Sequence, residues 1–141
     1  MSKITVVRLG VGTLTPEVIE IDNDLKSMQS LVGGPIEHVS SSNYGDTSIL
    51  SEYDIWCNEE GLLVKDILFN VYLGILGRNA KPDLCLAGDI FVAGSDEEGD
   101  IVSVDKDDIP LIIAALSERM TANHKRKKLL KLIVMQQLWI R

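Results

Sequence analysis

Short β-branched or alternating apolar stretches fill most of the first hundred positions, and a three- to four-residue apolar spacing takes over only towards the end. Residues 4–9 and 18–21 are β-branched runs separated by Gly10, Gly12 and Pro16, which predicts two strands joined by an open turn. Leu25, Met28 and Val32 follow at helical spacing, with Asn23 as cap and Gly33-Gly34 as the left-handed stop. A strand is expected at 36–39, then a polar loop at 40–46. Residues 49–57 and 62–64 read as the arms of a hairpin around Asn58-Glu59-Glu60-Gly61, where Asn first and Gly last suit a type I turn. Residues 66–76 read as a short helix or an irregular segment, and 84–93 and 101–104 as strands around the acidic turn 95–100. Asp107 or Asp108 caps a helix with Pro110 in its first turn, and Ile109, Ile112, Ile113, Leu116 and Met120 share one stripe. No glycine or proline interrupts 111–141, so one continuous helix and two helices broken near 121–123 both stay open. The pattern predicts an α+β fold: a mostly antiparallel sheet with a short helix after the second strand and a long C-terminal helical segment.

Charge divides the chain differently. The first 120 residues hold 8 basic and 21 acidic side chains, a charge of −13, whereas 121–141 hold 6 basic and no acidic ones. An acidic body therefore carries a basic tail. Nine of the thirteen residues at 129–141 are apolar, far wider than a one-sided stripe, so the tail wants partners on several sides. Neither this stretch nor 109–116 reaches the roughly 20 apolar residues that cross a bilayer, and no membrane association is expected. Cys57 and Cys85, without paired spacing, read as reduced thiols.

Catalytic chemistry has little to stand on. Gly10-Val11-Gly12 is followed by Thr15 and Pro16 instead of a phosphate-facing helix, so it is no dinucleotide fingerprint. The acidic loop at 95–100 lacks the ligand spacing of a calcium loop, and neither His38 nor His124 lies within ligand spacing of a cysteine, so no metal or other cofactor is expected. Serines at 40–42 lie near His38 in a polar loop, a weak arrangement for nucleophilic catalysis. His124-Lys125-Arg126-Lys127-Lys128 is a dense basic cluster suited to phosphate.

Three blocks stand out: Val32-Gly33-Gly34-Pro35-Ile36-Glu37, Cys57-Asn58-Glu59-Glu60-Gly61 and Ala87-Gly88-Asp89-Ile90-Phe91-Val92-Ala93-Gly94. They resemble a small domain of unknown function that recurs in bacteriophage and plasmid genomes, with V-G-G-x-I-E, N-E-E-G and G-x-hydrophobic-x-V-x-G signatures. The resemblance covers roughly 4–109, which divides the chain into a family-like domain at 1–109 and a helical extension at 110–141, the latter an oligomerisation element. It implies a phage-type accessory protein acting against host defences in the cytoplasm of an infected bacterium. Recurrence of N-E-E-G in that family implies that Asn58 or Glu59 faces a ligand or partner. Asn70 matches a recurrent asparagine there, although the proline and arginine often beside it are Phe69 and Val71 here.

The function expected is non-catalytic capture of a nucleotide-derived defence signal by a homo-oligomer. Cations would meet phosphates, amides and carboxylates would read base or ribose edges, and aromatic rings would stack. The candidate ligand-binding residues are Tyr44, Tyr53, Asn58, Glu59, Asn70, Tyr72 and Arg78, with Lys125 or Arg126 from the tail. The alternatives are an acidic inhibitor that mimics nucleic acid, and a phosphodiesterase acting on a nucleotide signal. Direct nucleic-acid binding ranks below both, because one basic cluster on an acidic body is a thin footprint. A chain ended at Met120 is expected to show a smaller oligomer in light scattering than the full chain.

Overall fold

The computed structural model describes residues 2–11, 13, 15–61, 69–73 and 84–120, except for the side chains of Tyr44, Phe69, Tyr72, Leu73, Leu84 and Cys85. In chain order the elements are β1 (Lys3–Leu9), β2 (Glu17–Asp22), α1 (Leu25–Val32), β3 (Ile36–Val39), β4 (Asp54–Asn58), β5 (Phe69–Leu73), β6 (Leu84–Ala87), β7 (Ile90–Ser95), β8 (Ile101–Val102) and α2 (Ile109–Glu118). The main sheet runs β2-β1-β7-β4-β3, with β8 added to the end of β7, and β5 and β6 form a separate two-stranded sheet. Every pairing between these strands is antiparallel. The protein is thus an α+β fold built on a mostly antiparallel sheet with a C-terminal helix.

Alternation along the strands sends apolar side chains to both faces of the main sheet. Ile4, Val6, Phe91 and Ala93 meet Met28 and Val32 of α1 on one face. On the other, Val7, Leu9, Ile55, Cys57, Ile90 and Val92 pack with Leu50, with Val71 and Leu86 of the small sheet, and with Ile112, Ala115 and Leu116 of α2. Ile90, Phe91, Val92 and Ala93 are each 0% exposed, so β7 is covered from both sides. The apolar stripe expected on α2 is the face that packs, and α2 is part of the domain's core.

Local chemistry explains where the elements begin and end. Asp24, one residue after the expected Asn23, caps α1: its Oδ1 accepts from Ser27 N at 2.7 Å, while Asn23 Nδ2 donates to Ile101 O. Gly33, at φ 80°, stops α1 as its sequence suggests. Residues 49–52 are a 3-10 turn instead of the start of a strand, because Ser48 Oγ caps it by accepting from Leu50 N and Leu50 is drawn into the core. Residues 69–73 are a strand, where a helix or irregular segment was expected, and the run 84–93 is broken into β6 and β7 by Gly88 at φ 79°. The second arm expected for the hairpin, 62–64, lies outside the described residues.

At the far end, Asp105 Oδ1 accepts from Asp107 N and Pro110 occupies the first turn of α2. The helix ends at Glu118, and Met120 forms an isolated bridge with Val71, so one unbroken helix from 110 to 141 is ruled out. Arg119 then turns inward. Its Nε and Nη2 donate to the two carboxylate oxygens of Asp46 at 3.0 and 3.3 Å, and its Nη1 to Ala115 O at 2.9 Å. With side chains 6% and 0% exposed, this fork-to-fork ion pair ties the 40–48 loop to the last turn of α2. Asp46→Ala leaves the buried guanidinium only the exposed Glu118, 3.9 Å from Nη1, as counter-charge and is expected to cost about 3–5 kcal/mol in urea unfolding, far more than loss of an exposed pair such as Lys3–Asp22.

Candidate functional site

The three sequence blocks interlock at one corner of the sheet. Asn58 Nδ2 donates to Val32 O at 3.1 Å, Asn58 Oδ1 accepts from Glu60 N at 2.8 Å, and Glu59 N donates to Pro35 O at 2.7 Å. A Cβ at Gly34 would lie 2.9 Å from Asn58 Nδ2, and one at Gly61 would lie 2.9 Å from Ala87 O. Here glycine is required by close approach of the next block and not by turn conformation. The amide of Asn58 is thereby committed to backbone, while the Glu59 side chain is exposed beside it.

Beyond Ala87 the same rim of the sheet holds two further polar groups. Asn70, 0% exposed on β5, donates from Nδ2 to Leu9 O and to Gly88 O, each at 2.9 Å. Because both partners are carbonyls, the amide can face only one way, and its Oδ1 is left buried without a hydrogen-bond partner among the described residues. The adjacent residues of those two stretches, Arg8 and Asp89, pair at 3.0 Å, and the second Asp89 oxygen accepts from Val11 N at 2.8 Å. Arg8 lies close over Gly10, where a Cβ would sit 3.1 Å from Nη1, and its side chain is 24% exposed. The Arg8–Asp89 pair and the Asn70 Nδ2 donor thus join the same two backbone stretches, and the Asn70 acceptor is left fixed and buried.

Register extends this rim across the α1 face of the sheet: Arg8 pairs with Phe91, Phe91 with Trp56, and Trp56 with His38. Trp56 and Phe91 stack at 6.4 Å and 17°, and the His38 ring lies 5.2 Å from Trp56. His38 Nε2 is 2.8 Å from Asp54 Oδ1. Trp56 Nε1 is also buried without a partner among the described residues.

The expected ligand residues do not form one cluster. Asn58, Glu59 and Asn70 lie at or beside the rim. Tyr53 lies at the opposite end of β4, about 16 Å away along an extended strand. Its hydroxyl donates to Asp108 Oδ2 at 2.5 Å and accepts from Asp105 N at 3.1 Å, and burial together with the Asp108 bond pushes its pKa up to about 12. Tyr44 lies in the 3-10 turn Ser41–Tyr44 and Tyr72 in β5, with side chains outside the description. Arg78, Lys125 and Arg126 fall outside the described residues altogether. Cys57 is unpaired and buried, its thiol pushed up to about 11 chiefly by burial, so it is no nucleophile at neutral pH. No His/Cys/Asp/Glu group capable of holding a metal occurs among the described residues. Arg8 and Asp89 escaped the sequence reading; the signal was an arginine between the apolar Val7 and Leu9 and an aspartate next to a turn glycine.

The family described as a domain of unknown function, DUF3846, matches residues 4–117. The chain belongs to DUF3846. The DUF3846 match runs past residue 109 through most of α2, in keeping with the place of α2 in the core. No curated protein and no solved structure matches the chain. Among the described residues of this DUF3846 protein, no helix is long and apolar enough to cross a membrane.

Tyr53 generates a pH test. Its folded pKa lies above the ordinary 10.0, so the stability it contributes is full below about pH 10 and is lost as pH rises to about 12. Tyr53→Phe is expected to cost about 1.5–3 kcal/mol at neutral pH, the worth of a hydrogen bond to a charged group. The gap between wild type and variant, measured by denaturant unfolding, should narrow steadily between those two pH values.

Proposed function

We propose that this DUF3846 protein is a non-catalytic accessory protein of the phage type that binds and withholds a nucleotide-derived signal of host defence. The observation that carries the reading is the rim where Arg8 is held by Asp89, and where Asn70, with its fixed and unpartnered acceptor, bonds the adjoining carbonyls of Leu9 and Gly88. A guanidinium suits a phosphate, and an amide oxygen suits the N–H of a base. Glu59, exposed just after β4, is offered to a ribose hydroxyl, whereas the polar atoms of Asn58 and Tyr53 are engaged within the fold. Tyr72 and Arg78 belong to the same proposal through their nearness in sequence to Asn70, and Tyr44, Lys125 and Arg126 as contributions from further segments. Self-association, with the segment after α2 as its element, is part of this reading, and so is a cytoplasmic place of action.

A hydrolytic reading has one observation in its favour, the His38–Asp54 pair, which has the form of an oriented general base. The acidic-mimic reading rests on the body's charge of −13 alone.

Calorimetry with cyclic dinucleotides and ADP-ribose derivatives is expected to give saturable heat for at least one of them, with the nucleotide recovered intact by mass spectrometry. Arg8→Ala should weaken that binding about 10- to 100-fold, the worth of a charged hydrogen bond. Silence with the whole panel would remove the capture reading, and recovery of a cleaved nucleotide would replace it with the hydrolytic one.

A further inference from the structure

An open groove of about 400 Å³ runs between α2 and the 3-10 turn Ile49–Glu52, from the edge of the core at Ala115 out to the exposed face of α2 at Leu111, Ala114 and Glu118. Its apolar lining comes from Ile49, Leu111, Ala114 and Ala115, and Leu111 is 55% exposed, among the most exposed large apolar side chains described. Two of the three hydroxyls in the lining are engaged inside the turn: Ser48 Oγ accepts from Leu50 N, and Ser51 Oγ donates to Ser48 O at 2.7 Å. The remaining charge is negative, from Glu52 and Glu118, both exposed. Such a surface suits an apolar chain segment that brings cations, and lacks the converging polar groups of a small-molecule pocket.

The chain itself carries a segment of that chemistry. Residues 121–141 hold six cations and no carboxylate, with the cations at 125–128 running directly into the apolar stretch that starts at Leu129. Met120 is 8% exposed and bridges to Val71 on the buried side of α2, whereas Leu111, Ala114 and Glu118 lie on the exposed side. The self-association proposed above makes the groove of a second copy the seat for this segment. We infer that the groove between α2 and the 49–52 turn is the seat for the basic, apolar C-terminal segment of a second copy, exchanged reciprocally about a two-fold axis. Glu52 and Glu118 meet the cations, and Leu111 with Ile49 covers part of the apolar stretch. This rests on the self-association proposed above and assigns its receiving surface.

The test is a charge swap on the full chain, read by light scattering. Wild type is expected to be dimeric. Glu52→Lys with Glu118→Lys reverses the groove, and Lys127→Glu, Lys128→Glu and Lys131→Glu together reverse the segment; each variant alone should have half the wild-type mass. Mixed in equal amounts, the two variants should regain the dimer mass, because each reversed groove then meets a reversed segment. Circular dichroism melting checks that both variants remain folded; all five positions are replaced charge for charge. A monomeric wild type would overturn both the seat and self-association. A dimer that survives groove reversal, or variants that fail to recover the dimer on mixing, would overturn the seat alone and leave self-association standing.

Discussion

Burial of β7 on both faces is the constraint from which the rest of the architecture follows. A strand whose side chains at 90–93 are all fully enclosed cannot sit in a sheet with one wet face, so the domain needs cover above and below. α1 supplies one side with only Met28 and Val32 as its buried contacts, and the second side takes α2, the 49–52 turn and the β5–β6 sheet together. The imbalance explains why loops that look peripheral are pinned so firmly. The 40–48 segment is fastened through Asp46 to Arg119, and the start of α2 is fastened through Asp108 to Tyr53. Each bond holds cover in place over the same strand.

The polar residues that draw attention in the sequence serve two kinds of work, and only geometry separates them. Asn58 and Tyr53 look like ligand readers because amides and phenols often are. In the fold, the Asn58 amide closes the corner of three sequence blocks, and the Tyr53 hydroxyl is both donor and acceptor to the approach of α2. Asn70 differs from them by one atom. Its donors are consumed by two carbonyls and its acceptor is not, and an unmatched buried acceptor carries a cost of about 1–3 kcal/mol. Such a cost is commonly tolerated where something other than the fold uses the atom.

What the sequence made legible was local. The Gly33 stop and the Ile109 to Met120 stripe follow from helical periodicity and left-handed backbone, which neighbouring residues determine by themselves. The 3-10 turn at 49–52 was hidden because its apolar residues look like strand residues until Ser48 caps them. β5 was hidden because five residues, apolar but for Asn70, lack enough period to choose between helix and strand. The pairs Asp46–Arg119 and Arg8–Asp89 join residues 73 and 81 positions apart, and no local pattern announces which distant charges will meet. For the rim, the residue types were visible but not their companionship.

The position of β7 in the chain also bears on how the molecule comes to be made. β1 and β2 are neighbours in sequence and can pair as a hairpin early, and α1 lies directly behind them. Leu9, however, pairs with Ile90, and Cys57 pairs with the same Ile90 from the other side, so the two halves of the sheet share no central strand until residues 90–95 have been synthesised. Closing contacts over such separations is entropically costly and slow. Until then β1 and β4 each present an open, apolar edge, the condition in which nascent chains pair with the wrong neighbour. The middle of this sheet is thus laid after the strands on both sides of it, and its late arrival leaves those strands waiting for the neighbour that joins them.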